Sequence, residues 1–215
     1  MSLRAVIFDM DGVLVDSEPF GFEALRRVMA RYGLPYSERE NAEFLGRTTL
    51  DSCRILKARH ALPDAPETLA EWYLEGMLEQ IGRGPIPMHG VPEVLADLRA
   101  AGYRLALASS AEPRLIQANL AALALGALFE AVVSGTQVPR GKPAPDVFLA
   151  AANRLGVPPA ACLVVEDSRN GLLAAKAAGM ACAVVPCTHT RHQAFDEADH
   201  RLDALPELLP LLRSA

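Results

Sequence analysis

The chain has 215 residues, of which 51% are hydrophobic and 22% charged, and its formal net charge is −5 at pH 7. This composition supports a packed core, and the acidic balance argues against a nucleic-acid partner, which usually binds a clustered basic surface. No apolar run approaches the roughly 18 residues of a membrane span. Since no signal peptide is apparent and the four cysteines are scattered, we expect reduced thiols, a cytoplasmic location and no membrane partner.

Short apolar runs predict five buried strands, at residues 4–8, 103–108, 131–133, 162–165 and 181–185. Helical periodicity predicts helices between the later strands, at residues 91–101, 112–123, 146–155 and 170–178. Strands that alternate with helices form parallel sheets that are covered by helices on both faces. We therefore predict an α/β fold with a Rossmann-like parallel-sheet core.

The segment between the first two predicted strands has a different character. It looks wholly helical, with periodic stretches near residues 20–32, 37–44, 49–58 and 65–82. A crossover between parallel strands needs only about a dozen residues, so this much longer insert predicts a separate domain. The run Gly84-Pro85-Ile86-Pro87 is typical of a stiff hinge. We predict a core of residues 1–16 and 86–215 and an all-α helical-bundle cap domain of residues 17–85.

Polar residues follow four of the predicted strands. They are Asp9, Asp11 and Gly12 after the first strand, Ser109 and Ser110 after the second, Lys142 after the third, and Glu166 and Asp167 at the end of the fourth. In open parallel sheets, ligands bind beyond the carboxyl ends of the strands, so we expect these side chains to share one cleft.

The four acidic residues of this set indicate a metal site. Asp9 and Asp11 are close enough to raise each other's pKa unless a cation intervenes. Glu166 and Asp167 arrive from another strand and complete an oxygen-rich set. Magnesium prefers a few carboxylates, waters and phosphate oxygens, so Mg²⁺ is the expected cofactor.

The remaining residues suit a phosphoryl group. Lys142 and Ser109 offer a positive charge and a hydroxyl donor, and Gly12 permits a sharp turn close to a phosphate. The candidate phosphate-binding residues are Gly12, Ser109, Ser110 and Lys142. Taken singly, each feature has a structural interpretation as a turn, a helix cap or a surface lysine. Four strand ends that each carry the required residue type favour a phosphoryl-transfer site.

Four motifs, FDMDGVLVDSE, LALASS, GKPAPDVF and VVEDSRNGLLAAKAAGM, together resemble the haloacid dehalogenase superfamily. Within it, the chain resembles the branch that contains β-phosphoglucomutase and small sugar-phosphate phosphatases. The resemblance covers nearly the whole chain, including the helical insert. It implies a magnesium-dependent phosphatase that hydrolyses a small phosphorylated metabolite, such as a sugar phosphate, through an aspartyl phosphate.

The resemblance also implies roles for individual residues. Asp9 corresponds to the nucleophile, and Asp11 to the general acid that protonates the leaving alcohol and then activates water. The implied ligands of Mg²⁺ are the carboxylates of Asp9 and Asp167 and the backbone carbonyl of Asp11, with Glu166 as an outer or auxiliary ligand. Ser109 and Lys142 correspond to the residues that bind the phosphoryl oxygens.

Other reactions of the superfamily fit less well. Dehalogenases resemble this pattern without the second aspartate, so Asp11 favours phosphate-ester chemistry. Phosphonate cleavage uses a cap lysine as a Schiff base, and the helical setting of Lys57 gives no sign of that role. The mutases have a histidine near the position of Gly21 and a lysine where Leu45 stands. We therefore favour a phosphatase, with a β-phosphoglucomutase-type mutase or a non-catalytic regulator on this fold as alternatives.

Two further features carry open interpretations. Arg47 is the cap residue that we expect to contact substrate, although a solvent-facing arginine is an equally good interpretation. The run Cys187-Thr188-His189-Thr190-Arg191-His192 has the spacing of a metal site but lacks a fourth ligand. A flexible loop after the fifth strand explains it better than a zinc site.

Overall fold

The computed structural model describes residues 3–44 and 48–213. The chain divides into two compact units. The core unit comprises Met1–Asp16 and Pro85–Ala215, and the helical unit comprises Ser17–Gly84. Within the described residues, no helix combines the length and the hydropathy that a membrane crossing requires.

The described part of the helical unit contains four helices, α1 (Glu18–Ala30), α2 (Glu38–Ala42), α3 (Thr49–His60) and α4 (Pro66–Arg83). Local chemistry sets where they begin. The hydroxyl of Ser37 accepts a hydrogen bond from the backbone N–H of Glu40, and that of Thr48 accepts one from Asp51, which caps α2 and α3. Pro66 opens α4 at a position where its missing N–H costs nothing.

An apolar interior holds the helical unit together. Helices α1 and α3 both pack against α4. The buried side chains include Leu25, Val28 and Met29 of α1, Leu56 of α3 and Leu69 of α4. Trp72 packs against this cluster, with its ring centroid 6.3 Å from that of Tyr32. The insert is therefore a small all-α bundle with its own hydrophobic core, as predicted.

The core unit contains a six-stranded sheet in which every neighbouring pair is parallel. Its strands are β1 (Ala5–Phe8), β2 (Arg104–Ser109), β3 (Ala131–Ser134), β4 (Cys162–Glu166), β5 (Ala181–Val184) and β6 (His200–Arg201). The spatial order β3-β2-β1-β4-β5-β6 changes direction between β1 and β4. The predicted parallel α/β fold is confirmed. The sequence analysis missed β6 because its two residues are both exposed and carry no apolar pattern.

Helices cover both faces of the sheet. They are α5 (Val91–Ala100), α6 (Pro113–Ala122), α7 (Asp146–Leu155), α8 (Arg169–Ala177) and α9 (Leu208–Arg213). Successive strand residues point to opposite faces, so Val6 and Phe8 pack with α5, α6 and α9, whereas Ala5 and Ile7 pack with α7 and α8. The result is a three-layer sandwich with two separate apolar interiors.

The segments that lead to and from the insert run side by side within the core unit. After β1, the backbone N–H groups of Val13, Leu14 and Val15 all point to the carbonyl of Met10, which makes a tight turn. Val15 then pairs antiparallel with Pro87. The flanking hydrogen bonds are Asp16 N to Ile86 O at 2.9 Å and Met88 N to Leu14 O at 3.0 Å. The chain therefore returns to the core next to the point where it leaves, and the described part of the insert adds no strand to the sheet.

A matched pair of leucine substitutions tests this layering. Leu95 of α5 is 0% exposed and Leu149 of α7 is 40% exposed. We expect Leu95→Ala to lower the free energy of unfolding by about 2–5 kcal/mol, because it leaves a cavity beneath the sheet. Leu149→Ala should stay within about 0.5 kcal/mol of the wild type. Urea denaturation followed by circular dichroism measures both, and equal losses would contradict the assigned core.

Candidate active site

The polar cluster lies at the carboxyl ends of β1 and β4, where the strand order changes direction. The parallel register pairs Phe8 with Val165, and the N–H of Asp9 donates to the carbonyl of Val165 at 2.9 Å. Asp9 therefore follows β1 at the level where β4 ends in Glu166 and is followed by Asp167. The three acidic residues are 7%, 0% and 5% exposed, respectively. This edge is where open parallel sheets bind their ligands.

Lys142 is the cation at the centre of this cluster. Its Nζ lies 2.6 Å from Asp9 Oδ1, 2.7 Å from Glu166 Oε1 and 3.2 Å from the carbonyl oxygen of Ala108. The three donors of the ammonium group thus have three acceptors, which come from β1, β4 and β2. The side chain is 7% exposed, and its Nζ lies 4.8 Å from the ring centroid of Phe148. Lys142 is a buried link between strand ends.

Glu166 has hydrogen-bond partners on both carboxylate oxygens. Oε1 accepts from Lys142, and Oε2 accepts from the N–H groups of Asp167 and Ser168 at 3.0 and 2.9 Å and from the Ser168 hydroxyl at 2.9 Å. The Ser168 hydroxyl also accepts from the N–H of Gly171 and caps α8. A Cβ at Gly171 would lie 1.7 Å from Glu166 Oε1, so only glycine leaves room for this carboxylate. Glu166 is therefore held in place by the protein and in turn holds Lys142 within the cluster.

Asp167 is packed against the turn that follows β1. Gly12 has a φ of +78°, and a Cβ on it would lie 2.3 Å from Asp167 Oδ2. Glycine is therefore required here both for its positive φ and for the space that it leaves. The close approach brings the Asp11–Gly12 backbone to the side of the Asp167 carboxylate.

The second aspartate and the serines lie along the same edge. Ser109 is completely buried at the end of β2; its Oγ accepts from the N–H of Ala111 at 3.0 Å and lies 3.5 Å from Asp11 Oδ2. Ser110 is exposed, and its Cα would lie 3.1 Å from a Cβ at Gly135. The structure thus brings Asp11 and Ser109 together and leaves Ser110 at the surface.

Burial and mutual repulsion shift the pKa values of these carboxyl groups. Desolvation raises the pKa of Asp9 well above its usual range; Lys142 opposes this shift, and the neighbouring carboxylates add to it. Desolvation and Glu166 raise the pKa of Asp167 to about 7, against hydrogen bonds from Cys187 and Thr190 that lower it. Burial lowers the pKa of Lys142, but Asp9 and Glu166 outweigh burial and raise it above its ordinary value.

The donor set fits a hard divalent cation. Within the described residues, Asp9, Glu166 and Asp167 are the one group of three ligand-type side chains whose oxygens lie within 4.8 Å of one another. In residues 3–44 and 48–213, Lys142 is the single cation that forms an ion pair with this group of carboxylates. When ionised, the three carboxylates carry more negative charge than Lys142 neutralises, and oxygen ligands with excess negative charge suit Mg²⁺. Asp9 and Asp167 are the better placed ligands, because both oxygens of Glu166 already accept hydrogen bonds.

The structure also brings a loop residue pair to this site that the sequence analysis did not include. Cys187 Sγ and Thr190 Oγ1 both donate to Asp167 Oδ2, at 3.2 and 3.1 Å. The spacing of Cys187 and His192 suggested only a zinc site or a flexible loop. In the part of the chain that the structure describes, neither residue joins a metal-type cluster. No local pattern signals a hydrogen bond to a carboxylate about twenty residues earlier.

Three cap residues complete the account of the expected positions. Arg47 and Leu45 lie outside the described residues, so the expected substrate contact of Arg47 stays a prediction. Lys57 donates to the carbonyl oxygens of Leu62, Pro63 and Asp64, at 2.7, 3.2 and 2.8 Å. Its ammonium group thereby closes the end of α3, which accounts for the residue without a catalytic role.

Known proteins are similar to this chain in sequence and in fold. The family model for haloacid dehalogenase-like hydrolases matches residues 3–179. The chain belongs to this family. It is 37% identical to protein CbbY of Rhodobacter capsulatus, with 97% of this chain and 100% of that protein covered. It is 38% identical to a phosphorylated carbohydrates phosphatase of Thermotoga maritima, over 83% and 82% of the two chains.

A solved structure extends the comparison. A CbbY mutant from Rhodobacter sphaeroides, crystallised with xylulose-(1,5)bisphosphate, has a TM-score of 0.87 and 29% identity, with 96% of each chain covered. Together with the relatives, it places the chain in the sugar-phosphate phosphatase branch of the superfamily. The chain is a hydrolase of this family and a phosphatase.

Asp167 makes the stability of the metal-free protein depend on pH. Its pKa of about 7 exceeds the usual 3.8, so between these values the folded state binds a proton that the unfolded state has lost. The free energy of unfolding contributed by this group must therefore fall as pH rises from about 4 to about 7. Urea denaturation in a chelator should show that Asp167→Asn gains stability relative to the wild type across this window. The surface control Asp97→Asn should show no such gain. If the free energies of unfolding of Asp167→Asn and the wild type depend on pH in the same way, the shifted pKa of Asp167 is contradicted.

The packing of Gly171 against Glu166 gives a second prediction. We expect Gly171→Ala to destabilise the protein by about 1–3 kcal/mol, because the added methyl group overlaps the carboxylate. Gly82 of α4 has nothing within 4 Å of its Cβ position, so Gly82→Ala should be neutral or stabilise by up to about 1 kcal/mol. Thermal unfolding measures both, and a neutral Gly171→Ala would refute the close packing.

Proposed function

We propose that the chain is a magnesium-dependent phosphatase that hydrolyses a small phosphorylated sugar through an aspartyl phosphate on Asp9. The observation that carries this proposal is the buried contact of Asp9 Oδ1 with Lys142 at 2.6 Å, beside the carboxylate of Asp167. Lys142 fixes one oxygen of Asp9 and leaves the other to attack phosphorus. A carboxylate nucleophile divides one difficult displacement into two easier steps.

In the first step, the carboxylate oxygen of Asp9 forms a bond to phosphorus as the bond from phosphorus to the sugar oxygen breaks. Asp11 in its protonated form gives its proton to that oxygen, and the sugar leaves as an alcohol. In the second step, Asp11 takes a proton from water as the water oxygen bonds to phosphorus. The bond between Asp9 and phosphorus breaks, inorganic phosphate leaves, and both aspartates return to their starting states.

Charge sets the conditions for both steps. Asp9 and Asp167 would hold Mg²⁺ with the backbone carbonyl of Asp11, and the ion would supply positive charge next to the phosphoryl oxygens. Lys142 keeps an ammonium group within 3 Å of the nucleophile and of Glu166. The Ser109 hydroxyl, which lies 3.5 Å from Asp11 Oδ2, is the donor that we assign to a phosphoryl oxygen. We assign Glu166 to positioning, since both its oxygens accept hydrogen bonds within the protein.

The comparisons support a sugar phosphate as substrate. One relative is a phosphatase of phosphorylated carbohydrates, and the CbbY mutant was crystallised with a pentulose bisphosphate. Both proteins match more than four-fifths of this chain. We extend their substrate class, a phosphorylated sugar, to this protein.

A mutase is the alternative that needs a direct comparison. The resemblance places a mutase histidine near Gly21, and a Cβ at Gly21 would lie 3.2 Å from the hydroxyl oxygen of Tyr73. A histidine at this position would therefore press on Tyr73. The absence of a histidine at this position favours transfer of the phosphoryl group to water over transfer to a second sugar oxygen.

Substitution of the two aspartates tests the mechanism. We expect Asp9→Asn to lower phosphate release from a sugar-phosphate panel in Mg²⁺ by at least about a thousandfold, because the nucleophile is lost. Asp11→Asn should lower it by about 10²–10⁴-fold, since both proton transfers are impaired. The surface variant Asp97→Asn should keep wild-type activity. Full activity of Asp9→Asn would refute the covalent step.

Product analysis separates phosphatase from mutase. Incubation of the wild-type protein with β-glucose 1-phosphate and Mg²⁺ should yield free phosphate and glucose. Enzymatic assays for inorganic phosphate and glucose 6-phosphate measure the two outcomes. Accumulation of glucose 6-phosphate without phosphate release would identify a mutase, and no turnover across the panel would favour a non-catalytic regulator.

A further inference from the structure

The loop that follows β5 reaches the acidic cluster with two side-chain donors. Thr190 Oγ1 lies 3.1 Å from Asp167 Oδ2, and Cys187 Sγ lies 3.2 Å from the same oxygen. A Cβ on Gly12 would lie 2.3 Å from this oxygen, so the Gly12 backbone confines the carboxylate as well. Asp167 Oδ2 is therefore held by two donors and by the neighbouring main chain. Oδ1 receives no hydrogen bond from any residue that the structure describes.

The loop is built to present these two donors together. The N–H of Cys187 donates to Thr190 Oγ1 at 3.1 Å. The Thr190 hydroxyl lies 3.1 Å from Asp167 Oδ2 and 3.4 Å from Cys187 Sγ, so the carboxylate, which is the nearer and the charged acceptor, is the preferred partner of its hydrogen. The N–H groups of Thr190 and Arg191 donate in turn to the carbonyl oxygen of Cys187, at 3.2 and 3.0 Å. These bonds close a compact turn in which the thiol and the hydroxyl face the same oxygen.

A second set of contacts joins the loop to helix α8. The N–H of Gln193 donates to the carbonyl of Thr190 at 2.9 Å. The side-chain Oε1 of Gln193 accepts from the N–H of Arg169 at 2.7 Å, and Arg169 is the first residue of α8, two positions after Asp167. The loop is therefore tied to the start of the helix that follows Asp167. These bonds hold the two donors in place next to the Asp167 carboxylate.

We propose that Thr190 and Cys187 are positioning residues that orient the Asp167 carboxylate for magnesium and thereby set the metal affinity of the site. The proposal rests on the metal assignment made under the proposed function. The two donors contact Oδ2, so Oδ1 is the oxygen of Asp167 that would bind the cation. Hydrogen bonds to a ligating carboxylate fix its orientation before the metal arrives, and their loss typically weakens metal binding by about 10–100-fold.

Isothermal titration calorimetry with Mg²⁺ alone, on the whole 215-residue chain without substrate, tests the proposal. We expect Thr190→Val, which keeps the shape and loses the hydroxyl, to raise the Kd for Mg²⁺ by about 10-fold or more. Thr190→Ser restores a hydroxyl and should bind within about twofold of the wild type, as the oriented donor returns. Cys187→Ala should weaken binding, and Cys187→Ser, which keeps a donor, should weaken it less.

Thr188 supplies the matched control within the same loop. It is exposed, and its hydroxyl accepts a hydrogen bond from Arg191 instead of contacting Asp167. Thr188→Val should therefore bind Mg²⁺ as the wild type does. A merely structural role for Thr190 would instead lower the melting temperature of the metal-free protein and leave the Kd unchanged.

Three results would overturn the proposal. Wild-type affinity in Thr190→Val refutes the positioning role while the proposed function stands. A loss in Thr190→Ser as large as that in Thr190→Val shows that the hydroxyl is not the cause. A wild-type protein that gives no binding signal with Mg²⁺ refutes the metal assignment itself, and this inference with it.

Discussion

The buried ammonium group of Lys142 is the interaction on which the site depends. A charge that is withdrawn from water is costly unless it is paired and hydrogen-bonded, and Lys142 is only 7% exposed. Its pairing with Asp9 and Glu166 meets this requirement and joins the ends of β1 and β4. The carbonyl of Ala108 adds β2 to the same link. One side chain therefore ties the carboxyl ends of the three central strands into a single polar cluster.

Adjacent acidic residues acquire different roles because neighbouring residues of an extended chain point in opposite directions. Glu166 turns towards Lys142 and the first turn of α8, where donors reach both of its oxygens. Asp167 turns towards Gly12 and the loop after β5, where the donors among the described residues contact Oδ2. Glu166 is therefore held through both of its oxygens, whereas Asp167 is held through one. Close glycine backbones at Gly12 and Gly171 make both placements possible.

The large helical insert is compatible with this site because the chain leaves and re-enters the core at paired segments. Residues 14–16 and 86–88 hydrogen-bond to each other, directly after the turn that carries Asp11 and Gly12. The helical unit has an apolar core of its own. The acidic residues and Lys142 of the candidate site all belong to the core unit.

The sequence by itself determined the parallel sheet, the all-α insert and the set of strand ends that carry acidic residues and a lysine, because burial and helical periodicity leave local patterns. It did not reveal β6, whose two residues are exposed, nor the contacts of Cys187 and Thr190 with Asp167. Only the tertiary structure decided which carboxylate oxygens are engaged, namely both oxygens of Glu166, Oδ1 of Asp9 and Oδ2 of Asp167. The reason is physical: Lys142 and Asp9 are 133 residues apart, and a hydrogen bond across that separation leaves no periodicity in the chain.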